Sequence, residues 1–208
     1  MPRRKTISEP ALLAVLLDEI AETGPDGLTF ARAAACSGLS APTLVQRFGD
    51  RAAMVEAILM FAWDRLDEAT EAADAAFPVS PRGAIDLLLH LTPDAEHGLD
   101  GGLPLLREDM RNPALRARGR AWGERLSAAL SRRLGGDSAL GRQMASLWQG
   151  AIIWWGFNRN GPPQAAIGEA LEGWCRTAGL ELTRRAPLPD SVSDNKNAAK
   201  RTGGRFCP

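Results

Sequence analysis

The sequence predicts an all-α protein in two parts, a small amino-terminal three-helix domain and a larger helical domain behind it. Three observations carry that expectation. Apolar residues recur three and four apart in segment after segment, and prolines, glycines and capping residues punctuate them. The stretch from Thr29 to Arg51 reads as two short helices joined by a tight turn. A chain of 208 residues with 45% hydrophobic content is long enough for a small domain joined to a larger one.

Met1 to Ile7 form a basic arm carrying Arg3, Arg4 and Lys5. Such an arm can follow the backbone or the minor groove of DNA, and a solvated basic start is the other reading. Ser8 caps the first helix, with Pro10 in its first turn. Leu12, Leu13, Leu16, Leu17 and Ile20 make one broad apolar face, and Gly24 ends it. Pro25-Asp26-Gly27 is a turn by composition. Thr29 caps a short second helix in which Phe30, Ala33 and Ala34 recur at helical spacing. Ser37-Gly38-Leu39 then supplies a turn with glycine where a positive φ is easiest. Ser40 caps the third helix, Pro42 lies in its first turn, and Leu44 and Phe48 give it a buried side. The opposite side offers Ala41, Thr43, Val45, Gln46 and Arg47, a mixed small, polar and basic surface suited to a DNA major groove.

The order Thr29, Ala34, Gly38-Leu39-Ser40, Thr43-Leu44 and Phe48-Gly49-Asp50-Arg51 resembles the amino-terminal domain of TetR-type transcriptional regulators. The resemblance covers about the first sixty residues; the remainder is similar in length and helical layout only. Val45 and Arg47 stand where the family often has aromatic residues, and Ala41 and Arg51 where it often has lysine, which bears on the operator. What the resemblance implies is a homodimeric regulator, usually a repressor, that binds a palindromic operator and leaves it when a small molecule enters the second domain. Thr43, Gln46 and Arg47 would make polar contacts to bases or nearby phosphates, and Ala41 and Val45 suit thymine methyls. Thr29, Ser40, Pro42 and Arg51, with the arm residues Arg3, Arg4 and Lys5, would complete the DNA-binding set.

Bulk charge neither favours nor opposes this, because Lys+Arg and Asp+Glu both number 25. The first sixty residues hold six bases against seven acids, a net of minus one. Placement matters more than the sum. The acids cluster on the first helix and at its end, whereas Arg47, Arg51 and the arm lie where phosphates would be.

Asp50 caps a long fourth helix from Arg51 to about Ala76. Its apolar pattern runs from Met54 to Ala69, further than a three-helix domain needs. Pro78-Val79-Ser80-Pro81 breaks the chain before the short buried helix AIDLLLHL. His90 and His97 follow no recognised metal-ligand spacing. A further short helix spans Leu103 to Met110, and Asn112-Pro113 starts the next, which Gly135-Gly136 stops. After Asp137 comes a helix apolar nearly all round, with Leu147, Trp148, Ala151, Ile152, Ile153, Trp154, Trp155 and Phe157, one side packing inward and the other meeting a second copy, and Pro162-Pro163 opens the last. Beyond Leu182 the composition turns polar and basic without periodicity, as a disordered tail would. The expected domains are therefore 1–50, 51–182 and the tail 183–208.

Two surfaces are expected in the second domain. Met144, Gly150, Ala151, Trp154, Trp155, Ile167, Ala170, Leu171 and Trp174 would form a four-helix dimer interface, with plain core packing as the competing account. Phe61, Trp63, Leu88, Leu106, Met110, Trp122, Trp148 and Ile152 would line an apolar pocket for a hydrophobic or aromatic effector. A filled core is the alternative there, in which case a protein partner would control the DNA binder without an effector. Cys36, Cys175 and Cys207 suit reduced thiols, and no run approaches the ~20 apolar residues that span a bilayer, so a cytoplasmic protein is expected. No catalytic residue, cofactor or metal is expected, since a phosphate loop, a serine elbow and tyrosine are all missing.

Overall fold

The computed structural model describes residues 7–92 and 98–182, with the backbone alone over 98–103. The arm with Arg3, Arg4 and Lys5, His97 and the tail 183–208 lie outside the described residues. Among those residues there are nine helices and no strand. They are α1 (Glu9–Gly27), α2 (Phe30–Ser37), α3 (Ala41–Phe48), α4 (Arg51–Ala76), α5 (Pro81–Leu91), α6 (Gly98–Arg111), α7 (Pro113–Arg133), α8 (Ser138–Asn158) and α9 (Pro163–Thr177). Among the described residues, no helix is long and apolar enough to cross a membrane.

Local chemistry sets most boundaries. Ser8, Thr29, Ser40, Ser80 and Asp137 each cap the helix that follows by accepting from a backbone N–H in its first turn. Asp50 does the same for α4, taking the Ala53 N–H at 2.8 Å. Two boundaries differ from the sequence expectation. Helix α1 kinks at Gly24, where φ is 73°, and resumes for a last turn through Pro25 to Gly27. Helix α6 begins at Gly98 and carries Pro104 inside it, at the loss of one backbone hydrogen bond.

The chain divides into two compact units, and the division falls inside α4 and α7 rather than at residue 50. Among the described residues the first holds 7–65 together with 100–119; the second holds 66–92, 98–99 and 120–182. The first unit's core explains this. Leu12, Leu16, Ile20, Leu28 and Leu44 are fully buried with Met54 and Ile58 of α4, and Leu115 of α7 joins the same cluster. Each such side chain contributes about 1.5–3 kcal/mol of burial, and α4 and α7 supply several of them. Polar ties add to it. Asn112 Nδ2 donates to Glu56 Oε2 at 2.7 Å, Trp63 Nε1 to Asp109 Oδ1 at 3.0 Å, and Arg118 pairs with Asp64 at 2.9 Å.

In the second unit α5 is buried along most of its length, from Gly83 to Leu88. Trp122 and Trp148 meet at 6.4 Å between ring centroids. Their indole N–H groups donate to Thr70 and Thr92, both at 3.0 Å, and each threonine hydroxyl bonds back to the carbonyl four residues earlier. His90 packs against Phe77, with ring centroids 5.7 Å apart. Arg133 is fully buried and ties α7 to the end of α4.

Candidate nucleic-acid interface

The α2–turn–α3 segment is built by side-chain hydroxyls. Thr29 Oγ1 accepts the Arg32 N–H at 3.2 Å and starts α2. Gly38 closes it in the left-handed region, φ 70° and ψ 14°, with its N–H on the Ala34 carbonyl at 3.0 Å. Ser37 holds the turn. Its buried hydroxyl donates to the Ala33 carbonyl at 2.5 Å and accepts the Leu39 N–H at 3.3 Å. Ser40 Oγ then accepts the Thr43 N–H at 3.3 Å and lies 2.7 Å from the Thr43 hydroxyl. The sequence marks Ser37 only as a turn residue; its role shows once Ala33 and Leu39 are brought to the same oxygen. Ser37→Ala leaves the Leu39 N–H without that partner and is expected to cost about 1–2 kcal/mol, read as a lower urea midpoint.

Helix α3 buries Leu44 fully and Phe48 in part, against the first unit's core. At 100° per residue the opposite face centres on Pro42 and Gln46, flanked by Thr43 and Arg47 on one side and by Ala41 and Val45 on the other. Pro42, Val45, Gln46 and Arg47 are exposed, and Ala41 and Thr43 half-buried. Pro42, Val45, Gln46 and Arg47 therefore share the solvent-facing side, with Ala41 and Thr43 at its margins. Arg47 Nη2 also donates to the Ile7 carbonyl at 3.5 Å, so the chain enters the first unit beside α3. Thr29 and Ser40 are exposed while serving as caps.

Arg51, 42% exposed along its side chain, also has partners within the first unit. Its Nε donates to the Leu28 carbonyl at 2.7 Å and its Nη2 to the Pro25 carbonyl, with Asp26 at 3.9 Å. The guanidinium satisfies carbonyls around the end of α1, a helix with no basic residue in its last turn. Arg32 is engaged by Glu19 at 3.1 Å.

The expected dimer residues divide. Met144, Trp155, Ile167 and Leu171 are buried within the chain itself, by α8 and α9 packing inside the second unit. Trp154 is 68% exposed, while Gly150, Ala151, Ala170 and Trp174 are half-buried. Ile153 and Phe157 are exposed as well, so α8 is buried on one side only. The expected effector residues divide too. Phe61, Trp63, Leu106 and Met110 belong to the first unit, Leu88, Trp122, Trp148 and Ile152 to the second. Leu106 and Met110 are exposed; Leu88, Trp122 and Trp148 are buried. Burial pushes the Cys175 thiol up, with Arg82 acting the other way, so that thiol is a poor nucleophile.

A capped helix-turn-helix at α2 and α3 followed by a helical remainder is the fold of TetR-type transcriptional regulators. A solved structure assigned as a TetR-family transcriptional regulator, from a Rhodococcus species, matches with a TM-score of 0.60 at 22% identity, over 79% of this chain and 95% of that one. The multidrug binding protein EbrR, complexed with imidazole, matches at 0.61 and 17% identity, over 89% and 100%. A protein assigned as a transcriptional regulator from Pseudomonas aeruginosa PAO1 matches at 0.62 and 17%, over 80% and 88%. At these identities the likeness is one of fold. No family model matches the sequence, and no curated protein does.

Proposed function

We propose that this chain is a homodimeric transcriptional regulator that binds a palindromic operator through α3, acts as a repressor, and is released by a small hydrophobic or aromatic effector. The observation that carries the reading is the exposed α3 face, held on a turn that Ser37, Gly38 and Ser40 fix in place. Gln46, central on that face, suits a bidentate contact to adenine, with Arg47 and Thr43 on bases or phosphates at one flank. Ala41 and Val45 meet thymine methyls at the other. Pro42 packs closely on the groove, and Thr29, Ser40, Arg3, Arg4 and Lys5 contact the backbone. Arg51 serves the interface by holding the end of α1 against the start of α4.

One such helix reads only a few base pairs, so two copies about one DNA turn apart are needed for selectivity. The exposed Ile153, Trp154 and Phe157 of α8 support a second copy as the partner. EbrR in complex with imidazole supports small-molecule control. The effector would enter the second unit around Trp122 and Trp148. A second reading, control by a protein partner, is favoured by one observation: both indole N–H groups already have threonine partners in a packed core.

Selection of bound duplexes from a random pool tests the proposal: an inverted repeat supports it, and salt-sensitive binding without sequence preference overturns it. Arg47→Ala is expected to weaken operator binding at least tenfold at fixed salt with an unchanged melting curve. An unaltered titration removes Arg47 from the interface. Quenching of tryptophan fluorescence by members of an aromatic panel supports an effector; silence across the panel favours the protein partner.

A further inference from the structure

The exposed side of α8 is unlike at its two ends. Toward the carboxyl end Trp154 and Phe157 stand 68% and 77% exposed, their ring centroids 5.7 Å apart, with Ile153 beside them at 43%. Toward the amino end the same side opens into a hollow of about 500 Å³ bordered by Ala139, Arg142, Gln143, Ser146 and Leu147 of α8 and by Trp174 of α9. Between the two lies Gly150, where an added Cβ would meet nothing within 4 Å. The helix repeat puts residues 143, 146, 147, 150, 153, 154 and 157 on one stripe.

That stripe is arranged symmetrically about Gly150. Ile153 and Leu147 are each three residues from it, Trp154 and Ser146 four, and Phe157 and Gln143 seven. A two-fold axis through Gly150 runs two copies of α8 antiparallel and brings each residue against its counterpart at equal distance. Projecting rings then face the hollow, and the glycine lets the two helix backbones approach. We propose that the Trp154–Phe157 pair of one copy seats in the α8–α9 hollow of a second copy, with the dimer axis at Gly150. This rests on the dimer proposed above and adds the occupant and the register. Four aromatic side chains of roughly 150–250 Å² each, about a quarter to a third of it already covered, supply roughly 400–700 Å², a substantial part of a stable interface of about 1,200–2,000 Å². The hollow at each end is completed only by the other copy.

The test uses the full chain in solution. Gly150→Cys, treated with a short bis-maleimide, is expected to bridge residue 150 to residue 150, identified by the mass of the joined peptides. Phe157→Cys alone should not join itself, whereas mixed with Gln143→Cys it should bridge 157 to 143. Trp154→Glu combined with Phe157→Glu should raise the dimer dissociation constant at least a hundredfold with an unchanged circular dichroism spectrum, because both side chains point to solvent in the single chain. A wild-type dimer in which neither bridge forms and the doubly charged variant stays dimeric overturns this pairing and leaves the dimer standing. A wild-type chain that sediments as a monomer, free and with operator, overturns both.

Discussion

Arg133→Met is expected to lower unfolding stability by about 3–5 kcal/mol, the largest loss among the substitutions considered, read as a fall in the urea midpoint. The Arg133 side chain is fully buried, and its donors are used on the far end of α4. Nη2 serves the carbonyls of Asp74 at 2.8 Å and Phe77 at 2.9 Å, Nε that of Pro78 at 3.2 Å, and Nη1 that of Ala129 at 3.0 Å together with the Asp74 carboxylate. Helix α4 has no basic residue in its last turn, and Pro78 follows shortly after. A guanidinium from α7 therefore does the work of a carboxy-terminal cap. Methionine fills similar space and supplies no donor, so several carbonyls lose partners at once. Lysine should recover only part of the loss, since one ammonium cannot reproduce the planar fork. An Arg133→Met chain with wild-type stability would show that water serves these carbonyls equally well.

Gly141→Ala comes next, with an expected loss of about 1–3 kcal/mol despite alanine's better helix propensity. A Cβ there would lie 2.4 Å from the Ser127 carbonyl oxygen, 2.9 Å from the Ser131 nitrogen and 2.2 Å from the Ser131 hydroxyl. The hydroxyl could turn away; the backbone atoms move only if α7 and α8 separate. Gly123→Ala is the control. It lies within α7 with nothing within 4 Å of its Cβ, and alanine should stabilise it by about 0.5–1 kcal/mol. Urea melts of opposite sign for the two alanines are the expected result.

Much of the first unit was legible because its signals are local. Ser8, Thr29, Ser40 and Asp50 announce helix starts through their own hydroxyls and carboxylate, and Gly38 announces a left-handed turn. Leu44 and Phe48 fix which side of α3 is buried, and that determines the exposed face. The remainder depended on partners distant in sequence. Nothing near Arg133 shows that its guanidinium turns inward to residues 55 to 59 positions earlier. Nothing in the sequence around Arg51 shows that its guanidinium also serves carbonyls more than twenty positions back. For α8, apolarity nearly all round suggests one side packed inward and the other against a second copy, without saying which residues belong to which. The structure buries Met144, Trp148 and Trp155 and leaves Ile153, Trp154 and Phe157 outside, a choice that periodicity cannot make when all candidates are apolar.

The first unit's reliance on Met54 and Ile58 of α4 and on Leu115 of α7 bears on where the chain can be cut. A fragment cut at residue 50 would leave behind three of the side chains that fill its own interior. A fragment meant to keep this interior should therefore carry the chain to residue 65 and residues 100–119 with it. Grafting only the surface of α3 onto an intact recipient is the simpler exchange, because it leaves both interiors untouched.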